Sequence, residues 1–110
     1  KWTGEALFNI LDNAVKYSPK GGKIDIHVEG QELYLKIDIA DTGKGIPENL
    51  HGAIFRRFYR ENDVHDTSGV GIGLYLAREI ITMQGGYIKV ASEVGKGSVF
   101  SVFLLRERNA

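Results

Sequence analysis

The chain has 110 residues, enough for one domain; it is 43% hydrophobic and 25% charged, so a core can form. Fourteen Lys and Arg balance fourteen Asp and Glu, which removes any bulk pull toward nucleic acid or a membrane surface. Cysteine is absent, which rules out disulfides and thiolate metal sites, and no apolar run approaches the roughly 20 residues of a membrane span.

No signal peptide is visible, and the opening Lys1-Trp2-Thr3 reads as a cut within a longer chain. Residues 3–17 have the period of a helix, with Leu7, Ile10, Leu11 and Ala14 forming an apolar stripe and Val15 at its edge. Asn9, Asn13, Lys16 and Tyr17 form a second stripe; at roughly 100° per residue they fall within about 100° of one another. Such a stripe is either a solvated helix face or a surface that binds something. The run Tyr17-Ser18-Pro19-Lys20-Gly21-Gly22 ends the helix.

Residues 23–28 and 33–40 alternate in hydropathy around a turn at Gly30-Gln31-Glu32, which predicts an antiparallel hairpin. The alternation puts Ile24, Ile26 and Val28 on one face and His27, as a solvated residue, on the other. Asp41-Thr42-Gly43-Lys44-Gly45-Ile46-Pro47 follows directly. It is either a plain turn or a means of placing one carboxylate at a strand end. Residues 48–57 read as short helical pieces, and residues 61–70 have no period and read as a mobile loop. A helix is predicted from about 73 to 83, ending near Gln84-Gly85-Gly86. Strands at 87–92 and 98–105, joined by a turn at 93–97, complete the chain. Helix, hairpin, helical segment, helix, hairpin implies an α+β two-layer sandwich.

The stretch Gly69-Val70-Gly71-Ile72-Gly73-Leu74 sets alternating glycines against a helix start. Glycines let a backbone approach a ligand closely, and the first helical turn offers unpaired N–H groups and partial positive charge. A phosphate site and a flexible loop are both compatible with that pattern. A P-loop is excluded because no segment supplies its Lys-Ser/Thr ending, and a dinucleotide fingerprint because residues 61–68 are polar loop rather than strand.

Taken together and in order, these stretches resemble the histidine-kinase-like ATPase superfamily, the Bergerat fold of sensor kinases, gyrase and certain chaperones. Asn9 to Pro19 looks like the N box, Asp41 to Ile46 like the first glycine box, Ile54 to Arg60 like the F box, and Gly69 to Leu74 like the second glycine box. Gly95-Lys96-Gly97-Ser98 resembles the closing motif before the last strand. The resemblance covers nearly all of residues 1–110 as one domain, with an ATP lid at about 46–72.

The resemblance implies roles. Asn13 would ligate Mg2+ and Asn9 would support it; Lys16 would neutralise phosphate charge, and Tyr17 would lie against the base. Asp41 would accept a hydrogen bond from the adenine amino group of ATP. Gly43, Gly45 and Ile46 would lie along the base; Gly69, Gly71, Gly73 and Leu74 would hold the triphosphate, with Arg60 reaching its end from the lid. For Phe55 and Phe58 a core role and a lid-docking role stand side by side. The ATPases of the superfamily carry a glutamate where this chain has Asn9, and an amide is no general base. Glu5 is a further turn back.

The resemblance therefore implies the catalytic and ATP-binding domain of a sensor histidine kinase, with little turnover in isolation. None of His27, His51 and His65 lies in the family's phosphoacceptor context. The acceptor is expected in a dimerisation domain outside this chain, and a response-regulator receiver domain is the expected downstream partner. The expected location is the cytoplasm, or the cytoplasmic part of a membrane-bound sensor. The alternatives are an ATP-hydrolysing clamp or chaperone-type module, and a non-catalytic regulatory or protein-binding domain on the same fold.

Overall fold

The structure is a computed structural model that describes residues 2–56 and 73–106. Helix α1 spans Trp2–Tyr17, strands β1 and β2 span Ile24–Gly30 and Tyr34–Asp41, helix α2 spans Gly73–Met83, and strands β3 and β4 span Tyr87–Glu93 and Gly97–Leu105. Two single 3-10 turns, Glu48–Leu50 and Ala53–Phe55, lie between β2 and α2. The sheet order is β1-β2-β4-β3 and every pairing is antiparallel. Both helices pack on one face of it, α1 chiefly over β2 and α2 over β3 and β4, giving the two layers expected.

The core lies between those layers. Ile37 and Ile39 of β2 and Phe100 and Val102 of β4 point into it, and Ile10, Leu74, Ala77 and Ile81 close it from the helices. On α1 the fully buried line is Ala6, Ile10 and Ala14. The apolar stripe is thus rotated from the sequence reading: Leu7 and Leu11 are only partly buried, and Val15 stays exposed. Alanines on α1 and Ala77 on α2 have little side chain to hold the helices apart, which suits two helices packed directly on each other.

α2 ends as a glycine-capped helix should. Gly85 has φ +84°, and the N–H groups of Gly85 and Gly86 bond to Thr82 O and Ile81 O at 3.0 Å each. That pair of bonds is a Schellman cap, which needs a left-handed residue at the first position beyond the helix.

The first hairpin departs from expectation in one respect. Ile26 and Val28 face the helix side of the sheet but remain 55% exposed, because β1 is an edge strand beyond the helix layer. On the opposite face an aromatic cluster covers the end of the sheet where β2 and β3 begin. Tyr87 stacks on Phe103 at 4.4 Å, Tyr34 meets both edge-on, and Lys36 and Lys89 lie over the Phe103 ring. Among the described residues no helix is long and apolar enough to cross a membrane.

Candidate functional site

Asp41 is the last residue of β2, one position further into the strand than the sequence predicted. It pairs with Ile24 on one side and Ser98 on the other. Its Oδ1 accepts the N–H of Gly43 at 2.8 Å, a two-residue Asx turn that aims the carboxylate as the chain leaves the sheet.

The loop after Asp41 is locked onto the turn between β3 and β4. Gly45 has φ +79°, and a Cβ there would stand 2.2 Å from Glu93 O. Only glycine fits both demands. The N–H of Gly95 bonds to Lys44 O at 2.7 Å, and the N–H of Ile46 to Ser92 Oγ at 2.6 Å. His51 Nε2 donates to Ile46 O at 3.0 Å, so the Ile46 backbone is held from both ends. Gly43 and Gly45 are buried. The Asp41–Pro47 stretch is therefore a built wall rather than a plain turn.

The second group of predicted site residues is helical. Asn9 and Asn13 lie one turn apart on α1 and are half-buried. Asn9 faces the start of α2: a Cβ on Gly73 would lie 3.9 Å from Asn9 Cβ. Asn9 of the polar stripe thus meets the N-terminus of α2, where the unpaired N–H groups and the positive end of the helix dipole are. Lys16 lies further along; its Nζ is 3.2 Å from Asp12 Oδ2, with both side chains well exposed. Tyr17 closes α1, and its side chain lies outside what the structure describes. Leu74 turns its side chain into the core, so only its backbone is available to a ligand.

Arg60, Phe58, Gly69 and Gly71 fall outside the described residues, as does the loop at 61–70. Of the segment expected to form the lid, residues 46–56 are described. They are anchored: Ile54 and Phe55 are buried, and Phe55 meets Phe100 edge-on at 6.2 Å. The Arg78 guanidinium lies 5.4 Å from the Phe55 ring centre. Phe55 is therefore a core residue. Among the described residues no three His, Cys, Asp or Glu side chains converge as metal ligands. The amide-bearing residue beside the start of α2 is Asn9, with Asn13 one turn further along α1.

The model of the histidine kinase-, DNA gyrase B- and HSP90-like ATPase family matches residues 2–108. The chain belongs to that family. It is 42% identical over 99 residues to the adaptive-response sensory kinase SasA of Synechococcus elongatus, covering 87% of this chain and 25% of that protein. It is 43% identical over 101 residues to the signal transduction histidine-protein kinase ArlS of Staphylococcus aureus, covering 89% of this chain and 22% of that protein. This chain thus spans about a quarter of the curated relatives it matches. Among solved structures, a mycobacterial sensor histidine kinase, MprB, superposes with a TM-score of 0.83 at 29% identity over 93% of this chain and 70% of that one. The catalytic domain of the histidine kinase ThkA gives 0.75 at 31% identity, over 91% of this chain and 64% of that one. Full-length ShkA, solved in complex with AMPPNP, gives 0.81 at 26% identity, over 96% of this chain and 22% of that one.

Sequence reasoning passed over Ser92, and it placed Ser98 in the closing motif without giving it a role. Ser98 is the buried polar residue among those described, and the pair lies in one cross-strand row with Asp41. Two serines in alternating strands carry no distinguishing pattern; only the register brings them to Asp41.

Proposed function

We propose that this chain is the catalytic and ATP-binding domain of a sensor histidine kinase. It binds Mg-ATP and passes the γ-phosphoryl group to a histidine of a dimerisation domain outside residues 1–110, which in turn supplies a response-regulator receiver domain. One observation carries the reading: Asn9, at the head of the polar stripe of α1, stands beside the start of α2 at Gly73, while a turn-fixed carboxylate, Asp41, stands at the end of β2.

The base lies against the Asp41 wall. The Asp41 carboxylate accepts the adenine amino N–H; guanine presents a carbonyl there and is repelled. The phosphates lie over the first turn of α2, where backbone N–H groups and the helix dipole favour anions. Asn13 would hold Mg2+ through its amide oxygen, with Asn9 supporting it, since this ion takes few protein ligands beside water and phosphate oxygens. When bound, the ion offsets charge on the β- and γ-phosphates. Lys16 adds a mobile positive charge, and Arg60 and the glycines at 69 and 71 complete the phosphate end. A histidine nitrogen attacks the γ-phosphorus in line, the bond to the bridging oxygen breaks, and ADP leaves with that electron pair. The protein's part is positioning and charge stabilisation.

Phosphoryl transfer is favoured over hydrolysis because, among the described residues, no base stands on α1 one turn before Asn13, where water would be activated. Residue 9 is an amide. Glu5, a turn earlier, is exposed, and Asp12 is paired with Lys16. The test is a calorimetric titration with ADP, GDP and an ATP analogue, each with and without Mg2+, followed by labelled ATP added to the full-length kinase. Adenine-selective binding and label on a histidine are the expected results. Absence of nucleotide binding overturns the reading, and steady phosphate release by the chain alone returns it to the hydrolytic class.

A further inference from the structure

The closing turn at 93–97 has no role in that account, yet Glu93, Gly95 and Gly97 all touch the base wall. A Cβ on Gly97 would stand 2.1 Å from Asp41 O, as one on Gly45 would from Glu93 O at 2.2 Å. The centre of the contact is the Ser92 hydroxyl. It lies 2.6 Å from Ile46 N, 3.0 Å from Gly97 O and 2.8 Å from Ser98 Oγ. Ser92, Ser98 and Asp41 are direct cross-strand partners in turn, so their side chains share one face of the sheet.

The hydrogens available fix the directions of these bonds. A hydroxyl has one hydrogen to give and two lone pairs. Gly97 O can only accept, so Ser92 gives its hydrogen there. Ser92 must then accept from both Ile46 N–H and the Ser98 hydroxyl. The Ser98 hydrogen is thereby turned away from Asp41. Its neighbour in the row, the Asp41 carboxylate, accepts the Gly43 N–H at Oδ1 and keeps acceptor capacity at Oδ2, and the ligand edge that fits must bring an N–H donor.

We propose that Ser92 is a positioning residue of the base pocket: its hydroxyl fixes the Ile46 backbone to the closing turn and commits the Ser98 hydrogen, so that Asp41 is kept for a donor on the base. This rests on the nucleotide reading above. Loss of the Ser92 hydroxyl frees the Ser98 hydrogen to turn toward Asp41 and compete with the ligand's amino group.

The experiment is a titration of the full-length protein with ADP and with GDP. Parent, Ser92→Ala, Ser92→Thr, Asp41→Ala and the Ser92→Ala/Asp41→Ala double variant are compared, each checked by its thermal transition. Ser92→Ala should weaken ADP binding by about tenfold, the size of one lost buried hydrogen bond, and narrow the preference for ADP over GDP. Ser92→Thr should restore both. In the Asp41→Ala background the Ser92→Ala effect on ADP should largely vanish, because there is no carboxylate left to protect. A purely structural serine would lower the thermal transition without changing the ADP-to-GDP ratio. That result, or a Ser92→Ala effect of equal size with and without Asp41, overturns the proposal. If the parent binds no nucleotide, or Asp41→Ala binds like the parent, the base-site reading itself fails. Should Ser92→Ala not fold, amide exchange in the parent decides: the Ile46 N–H must be strongly protected, and fast exchange there overturns the proposal.

Discussion

The two walls proposed for the site are made of different material. The Asp41 wall is backbone: a strand end, glycines pressed on carbonyls, and a loop whose N–H and C=O groups are bonded to Ser92, His51 and the closing turn. The α1 wall is side chain: half-buried amides and an exposed lysine standing on a helix that is held by other residues, Ala6, Ile10 and Ala14. A wall of backbone cannot be altered without disturbing the fold, whereas a wall of side chains can. The first suits a rigid base that must be recognised by shape and hydrogen-bond pattern. The second suits phosphates, whose charge changes during the reaction. The comparison predicts that substitutions on the Asp41 wall lower stability and binding together, and that those on α1 lower function alone.

Gly97→Ala should have the largest effect. Its φ of +103° disfavours any side chain, and the added Cβ would stand 2.1 Å from Asp41 O. The left-handed conformation alone costs about 1–2 kcal/mol, and forcing strands apart adds about 1–3 kcal/mol. Gly95→Ala sharpens the test: φ is +85° but nothing lies within 4 Å, so only the conformational cost applies. Chemical denaturation of the pair should show Gly97→Ala the more destabilised and the weaker for ADP. Equal losses would mean that contact with the Asp41 carbonyl does not matter.

Asp41→Ala comes next. It removes the Gly43 cap and the acceptor for the base, and should cost about 1–3 kcal/mol of ADP affinity where the pair is buried. ADP and GDP titrations read it; an unchanged ADP affinity with an unchanged preference over GDP counts against the assignment. Asn13→Ala should then separate the walls. Alanine is the better helix former and Asn13 is outside the buried line of α1, so stability should move by under about 1 kcal/mol. Magnesium-dependent transfer by the full-length kinase should nearly disappear. Normal transfer in the folded variant would remove Asn13 from its metal role.

The element order was legible because each element carries its own punctuation: Pro19 after α1, Gly85 and Gly86 after α2, alternation in the strands. What each face meets was not. Ile26 and Val28 alternate as cleanly as Phe100 and Val102, yet the first pair is half exposed and the second buried. Alternation assigns residues to a face; only topology says that β1 lies at an edge beyond the helices. The Asp41 carboxylate was legible from its place among turn formers at a strand end, and the resemblance gave it a role. Ser92 was not legible, because its meaning depends on a hydrogen bond to Ile46 across 46 positions of chain. Hydropathy alone sets the apolar stripe of α1 slightly too far toward Val15, since small Ala6 gives a weak signal although it is wholly buried.

Lys16→Ala should have the smallest effect on stability and is the sharpest test of the α1 wall. Lys16 and Asp12 form an i, i+4 pair with side chains 35% and 45% exposed. Such a pair contributes about 0.2–0.5 kcal/mol, and alanine's better helix propensity offsets part of that. The urea midpoint should therefore barely move. Binding is a separate matter. A lysine held this weakly is released cheaply to a phosphate, and the exchange leaves Asp12 exposed to water rather than buried. Affinity for ATP and ADP should fall on removing the charge, with adenosine unaffected, and the loss should shrink as salt rises. Asp12→Ala tests the same competition from the other side: with its partner gone, Lys16 should hold ATP more tightly than in the parent, again without change for adenosine. If ATP affinity is unmoved in both variants, Lys16 belongs to its helix alone and the phosphates are held by the backbone of α2 and the groups that follow it in the chain.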